Sequence, residues 1–282
     1  MPGIPRVLLE VPEMSQLLNL TYDDYGDGIG SQIERDLIKI EPIYLWFRHN
    51  PSASLLFSAS YLIIVFVLLR IMQDRPGFEL KGPLALWNGF LAIFSIYGVC
   101  RCAIYAFWEG WRYGFHQAIC RGRITSPDEA LWEVLFTASK VLEFGDTFFL
   151  ILRKRPVTFL QVYHHAIVLI FSWYSTAYDN ALKTVFGSLN VAVHSVMYTY
   201  FSLTAAGVSI PRSIARCITM LQMGQFVAGI LIICSAIFFK TTIGCDGPFQ
   251  GYFLSIAIYI SFLILFHNYF AQSQKRHAKK QS

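Results

Sequence analysis

The chain has 282 residues, of which 55% are hydrophobic, 16% aromatic and only 15% charged, and its mean hydropathy is +0.46. This composition excludes an ordinary soluble domain of that size and points to an all-α integral membrane protein. The net charge of +5 resides in segments flanking apolar runs, so it gives no reason to expect a nucleic-acid partner.

Residues 1–50 contain no apolar run and carry Pro, Asp, Glu and Gly throughout, so no cleavable signal peptide is expected. They read as a tail, irregular around Asp23-Asp24-Tyr25-Gly26-Asp27-Gly28, with a short amphipathic helix from Ile33 to Phe47. Asn19-Leu20-Thr21 is a glycosylation sequon, which can be used at Asn19 only if the tail is lumenal.

A helix needs about 20 apolar residues to cross a hydrocarbon core, and seven segments of that kind follow. The first three are Ala53 to Leu69, Pro83 to Trp108, which Arg101 interrupts, and Ala130 to Leu152. The other four are free of Asp, Glu, Lys and Arg: between Arg155 and Asp179, Lys183 and Arg212, Arg216 and Lys240, and Asp246 and Lys275. Connections are short and no internal repeat is visible, so residues 51–273 are expected to form a single bundle of seven transmembrane helices. Residues 274–282 form a basic tail.

Seven spans place the termini on opposite sides, and basic residues concentrate in cytoplasmic loops. With a cytosolic C-terminus, that side holds Arg70, Arg75, Lys81, Arg153, Lys154, Arg155, Arg212, Arg216, Lys275, Arg276, Lys279 and Lys280. The opposite side holds only Arg112, Arg121, Arg123, Lys183 and Lys240 beyond the tail. A lumenal N-terminus and a cytosolic C-terminus are therefore expected. The closing Lys279-Lys280-Gln281-Ser282 has the form of a dilysine retrieval signal, and a basic tail that meets anionic headgroups is the simpler alternative. This topology makes Cys120 and Cys245 lumenal, where an oxidising compartment permits a disulfide, and they are predicted to pair. Cys100, Cys102, Cys217 and Cys234 read as small core residues within helices.

An ionisable group at bilayer depth is costly unless paired or hydrated, so it marks a functional site. The third segment carries Lys140, Glu143, Asp146 and Thr147 within eight residues, with Lys140, Glu143 and Thr147 on one helical face. The fourth opens on Gln161, His164 and His165; the fifth carries Asn190, His194, Tyr198 and Tyr200; the sixth carries Thr219, Gln222 and Gln225. Counting about 1.5 Å per residue from the basic ends places Asp146 and His164 roughly 10 Å deep, Glu143, Gln222 and His194 near 15 Å, and Lys140 and Gln225 near 20 Å. Helices of opposite direction thus bring polar groups to overlapping depths, and one buried site open to the cytosol is the simplest account. An internal ion pair that merely locks two helices remains open for Lys140 and Glu143.

Here the chain resembles the very-long-chain fatty acid elongases, over about Phe57 to Ala271. Lys140 to Thr147 matches that family's KxxExxDT box, Asn190 to Phe201 matches NxxxHxxMYxYY except at the last position, and Thr219 to Gln225 matches TxxQxxQ. The run from Pro76-Gly77-Phe78-Glu79-Leu80 to Phe94-Ser95-Ile96 is similar to the subgroup acting on long-chain saturated and monounsaturated acyl-CoA. Two departures stand out: Gln161 occupies the first position of the usual HxxHH box, and Phe201 replaces the final Tyr. An amide hydrogen-bonds well but is a poor metal ligand.

The resemblance implies a 3-ketoacyl-CoA synthase of the endoplasmic reticulum membrane, with acyl-CoA and malonyl-CoA as substrates, no tightly bound cofactor and no metal. It would perform a decarboxylative Claisen condensation through an acyl-imidazole, since histidine can form covalent intermediates. By motif position, His164 is expected as acyl acceptor and His194 as the group that positions malonyl-CoA or stabilises the enolate. His165, Gln161, Asn190 and Asp146 are expected to orient these rings, with Lys140 and Glu143 as a charge-balanced wall. Thr147, Tyr198, Tyr200, Gln222, Gln225, Arg153 and Lys154 complete the expected substrate contacts. A homodimer and association with other enzymes of the elongation cycle are compatible with this reading. A seven-helix receptor and a lipid or ion transporter with a buried proton relay are the competing classes.

Overall fold

The computed structural model describes residues 39–122 and 127–281. The sequon at Asn19 lies outside them, as does the first part of the helix expected over 33–47. What is described there is α1, Ile40–His49, which buries Ile40, Tyr44 and Phe47. Next come α2, Ala53–Met72, and α3, Lys81–Gly98, which passes through a π-helical turn at Val99–Ala103 into α4, Ile104–Tyr113. After the short α5, Phe115–Cys120, come α6, Pro127–Leu142, and α7, Phe144–Leu152. The chain then runs through α8, Phe159–Ala177, α9, Lys183–Ala205, α10, Arg212–Thr242, and α11, Phe249–Gln281.

The described residues are helical with turns and loops between, and four stretches are long and apolar enough to cross a membrane: Ala53–Met72, Lys81–Tyr113, Arg212–Thr242 and Phe249–Lys275. The chain is an all-helical polytopic membrane protein. Three of the seven expected spans do not meet that standard of length and apolarity, and they are the three that carry the Lys140, His164 and His194 groups. The first of them is also broken, because α6 stops at Leu142 and α7 starts at Phe144, leaving Glu143 in the joint.

Neighbouring helices close a circuit: α3 packs on α9, α9 on α10, α10 on α11, α11 on α8, α8 on α2 and α6, and α6 back on α9. Lipid tails give apolar helices no hydrophobic reason to associate, so close packing of small residues has to supply it. The α3–α9 contact illustrates this. A Cβ on Gly89 would lie 3.3 Å from Ser202 Oγ, and one on Gly98 would lie 3.3 Å from Val191 Cγ1. At the α10–α11 contact, a Cβ on Gly229 would lie 2.1 Å from the Tyr259 ring, so only glycine lets these helices come this close.

One end of the bundle is tied by polar groups. Arg48 on α1 pairs with Asp179 through two contacts of 2.8 Å, and the Trp173 indole donates to the Phe47 carbonyl at 2.9 Å. Lys183 pairs with Glu133 at 2.8 Å. Cys120 and Cys245 are disulfide-bonded, joining the end of α5 to the α10–α11 loop. The other cysteines depart from the core placement expected of them: Cys100, Cys217 and Cys234 are exposed and Cys102 is half-buried. A thiol is apolar enough to face lipid, so an apolar helix has no need to turn it inward.

Candidate active site

The helix circuit encloses two cavities that meet at a waist. The outer cavity, about 980 Å³, opens among Arg153, Arg155, Arg212 and Arg216 and reaches Glu143, Asp146, His164, His165 and His194. The inner cavity, about 440 Å³, runs on from the waist toward Glu133, Thr176 and Lys183. His164, Asn190, Gln225 and Phe226 line both.

The joint at Glu143 orders one side of the waist. Lys140 Nζ donates to Glu143 Oε1 at 2.6 Å and to Asn190 Oδ1 at 2.7 Å. The Asn190 amide nitrogen lies 3.3 Å from His194 Nε2, and His194 Nδ1 lies 3.6 Å from Glu143 Oε1. Lys140, Asn190, His194 and Glu143 therefore form a closed circuit. An amide nitrogen only donates, so His194 accepts at Nε2 and carries its proton on Nδ1, facing the carboxylate. At 3.6 Å that last contact is electrostatic rather than a hydrogen bond. Lys140 and Glu143 are 2% and 3% exposed, and pairing opposite charges offsets part of the cost of burying them.

On α8, Thr158 caps the helix by accepting from the Gln161 backbone N–H at 3.2 Å. Thr158-x-x-Gln161 is a capping-box sequence, whose Gln would ordinarily reach back to the cap residue. Instead the Gln161 amide lies 2.8 Å from His165 Nε2 and holds that ring, placing the His165 proton on Nδ1. The substitution in the histidine box thus retains an orienting group. His164 differs from its neighbours: among the described residues its ring has no hydrogen bond. It stands edge-on to His165 at 5.5 Å between centroids and packs on Phe262 at 4.9 Å.

Several expected site residues sit elsewhere. Asp146 touches no histidine ring; it accepts from the Trp87 indole at 2.8 Å and the Tyr198 hydroxyl at 2.7 Å. Its influence on His194 passes through Tyr198, whose ring stands edge-on to that imidazole at 5.4 Å. Thr147 lines neither cavity and is fully buried against Tyr61, with 2.8 Å between hydroxyl oxygens. Lys154 also lines neither cavity: it is exposed and donates to the Gln73 carbonyl at 2.9 Å. Arg153, Tyr198, Tyr200, Gln222 and Gln225 do line the outer cavity, and Gln222 donates to Met197 Sδ at 3.1 Å.

The loop Arg153 to Arg155 is expected from the sequence to supply basic groups for the CoA phosphates, and Arg153 and Arg155 line the mouth. Sequence reasoning missed Tyr61, Trp87, Arg212 and Arg216 as parts of this region. Arg212 and Arg216 serve there only as topology markers, and nothing in the α2 pattern distinguishes Tyr61 from other aromatics. The glycine between Glu143 and Asp146 was the available clue for Trp87. A Cβ on Gly145 would lie 2.5 Å from Trp87 Cζ2, so this glycine admits the indole that holds Asp146.

Residues 46–282 match the ELO family model, described as GNS1/SUR4. The human very long chain fatty acid elongase 6 is 38% identical over 229 residues, 81% of this chain and 86% of that protein. The Drosophila melanogaster very long chain fatty acid elongase 6 is 39% identical over 231 residues, covering 80% and 73%, and the human very long chain fatty acid elongase 3 is 36% identical over 219, covering 77% and 80%. The matched region includes both cavities and every histidine of the waist. With its motif boxes gathered around one enclosed site and relatives of this similarity along most of its length, the chain belongs to the ELO (GNS1/SUR4) family of fatty acid elongases.

Proposed function

We propose that this protein catalyses the condensing step of fatty acid elongation, joining a long-chain acyl-CoA to malonyl-CoA to give 3-ketoacyl-CoA, carbon dioxide and CoA. The observation that carries the reading is the position of His164: its ring is free of hydrogen bonds at the waist between a chamber with a basic mouth and a narrower inner one. A nucleophile needs an uncommitted lone pair beside the reacting carbonyl. Both ring nitrogens of His194 face partners, and one of His165 does. That difference favours His164 as acyl acceptor and the other two as positioning groups.

In this scheme an imidazole nitrogen of His164 attacks the thioester carbonyl and CoA leaves as the thiol, taking the proton displaced from the ring. Malonyl-CoA then loses carbon dioxide, and the resulting enolate carbon attacks the acyl-imidazole. Imidazole departs and regains a proton from solvent. His194, held between Asn190 and Glu143, would position malonyl-CoA or stabilise the enolate formed from it. A water-poor chamber protects the enolate from early protonation and strengthens the hydrogen bonds aimed at it. Arg153, Arg155, Arg212 and Arg216 at the mouth suit the CoA phosphates. The same reading takes residues 1–50 as a lumenal tail, 51–273 as seven spans and 274–282 as a cytosolic retrieval tail in the endoplasmic reticulum membrane. It needs no tightly bound cofactor and allows a homodimer and association with the other elongation enzymes.

The test is mass spectrometry of the purified protein after exposure to acyl-CoA alone. An acyl adduct on His164, lost in His164→Ala together with product formation, is the expected result. An adduct on another residue, or undiminished malonyl-CoA turnover in His164→Ala, would overturn the assignment.

A further inference from the structure

We infer that the side-chain amide of Gln225 is the oxyanion donor for acyl transfer at His164; this rests on the condensing reading above. Attack on a thioester carbonyl drives negative charge onto its oxygen, and a preset N–H aimed at that oxygen stabilises the charge. Four residues line both cavities and so border the reacting carbon: His164, Asn190, Gln225 and Phe226. His164 is the nucleophile, and Phe226 has no side-chain donor. Asn190 is committed, because its oxygen accepts from Lys140 at 2.7 Å and its amide nitrogen lies 3.3 Å from His194 Nε2. Gln225 remains. It is half-buried, its amide makes no hydrogen bond among the described residues, and its amide atoms stay open to contact. The donors around the waist are already engaged: Gln161 on His165, Gln222 on Met197 and Tyr198 on Asp146. Lys140 lines neither cavity.

Packing on α11 brings Gln225 level with His164. Counting from the basic ends puts them at depths of about 20 Å and about 10 Å, too far apart to share a carbonyl. The structure closes that gap. The His164 ring packs on Phe262 at 4.9 Å and Phe266 at 6.0 Å between centroids, and the Phe226 ring packs on the same two at 5.6 Å and 5.1 Å. Gln225 precedes Phe226 on α10 and lines the waist beside those rings.

In the acylation step a His164 nitrogen bonds to the carbonyl carbon, the C=O electron pair moves onto oxygen, and the Gln225 N–H donates to it. That pair returns as the C–S bond breaks and CoA leaves as the thiol with the ring proton. The same oxygen is charged again when the enolate carbon attacks the acyl-imidazole, so one donor serves both halves of the reaction.

The test follows acylation of the full-length protein by hexadecanoyl-CoA alone, reading the His164 adduct by mass after rapid quenching. Gln225→Met removes the donor at similar length and should slow acylation by about 100- to 1000-fold. The half-saturating acyl-CoA concentration should stay within about threefold, because the bond forms in the transition state. Gln225→Leu should behave alike and replaces it if the first variant does not fold. The dithioester analogue, with C=S in place of C=O, separates a donor from a structural role, since sulfur is a weak hydrogen-bond acceptor. The ratio of oxygen to sulfur acylation rates should fall at least about tenfold from wild type to variant, whereas a structural defect lowers both rates together. An unchanged ratio, or acylation within about threefold of wild type in a folded variant, overturns the donor and leaves His164 as acceptor. Absence of a His164 adduct in the wild-type protein overturns the condensing reading, and this donor with it.

Discussion

Replacing Lys140 with Met tests whether the Lys140–Glu143 pair holds the site together. The change removes the cation beside Glu143, which is 3% exposed, leaving His194 Nδ1 at 3.6 Å as its nearest compensation, and it strands the Asn190 carbonyl oxygen. Removing one partner of a buried pair costs about 3–5 kcal/mol. At a few degrees per kcal/mol, the unfolding midpoint should fall by roughly 6–20 °C. Removing both charges is a different perturbation, because no lone charge remains. Lys140→Met/Glu143→Leu should therefore recover most of the lost midpoint while staying inactive, since His194 keeps no carboxylate. Thermal unfolding in detergent, followed by tryptophan fluorescence beside a condensation assay, reads both effects. A single variant within about 1 kcal/mol of wild type, or a double variant no more stable than the single, would refute the reasoning.

Two further outcomes follow from the packing. Gly145→Ala would push the Trp87 ring from 2.5 Å and loosen its hydrogen bond to Asp146, so it should cost about 1–3 kcal/mol and lower activity. Gly224→Ala, with nothing within 4 Å, should be neutral or stabilising by up to about 1 kcal/mol; equal midpoints for the two variants in thermal unfolding would count against the close approach. Cys120→Ala/Cys245→Ala opens a link across 125 residues and should destabilise by about 2–5 kcal/mol. Turnover at room temperature should stay within about twofold, because neither cysteine lines either cavity; a midpoint unmoved by this variant or by reductant would contradict that stabilisation.

The helices and the polar layer could be read from spacing because both are local. A residue three or four positions along a helix is a neighbour whatever the helix packs against, which is why Lys140 with Glu143, Gln161 with His165 and Asn190 with His194 were recoverable as pairs. Depth was recoverable for the same reason, since a fixed rise converts residue count into distance. Thr147 and Asp146 show the limit of that reading. They belong to the same motif box as Lys140 and Glu143, yet the joint at Glu143 sends Thr147 to Tyr61 and Asp146 to Trp87 and Tyr198. Lys154 and Arg155 are adjacent in sequence, yet only Arg155 lines the mouth.

The amino-acid sequence alone determined that this is a helical membrane protein with a buried band of ionisable groups, because apolar length and helical period are properties of the chain itself. Only the tertiary structure decided which helix faces meet, that two chambers join at His164, and that the Glu133–Lys183 pair lines the inner one. In lipid every apolar face is equally well solvated, so rotation about each helix axis is set by glycine contacts, buried hydrogen bonds and ion pairs with other helices. Those contacts connect residues far apart in the chain, and no pattern along a single helix encodes them.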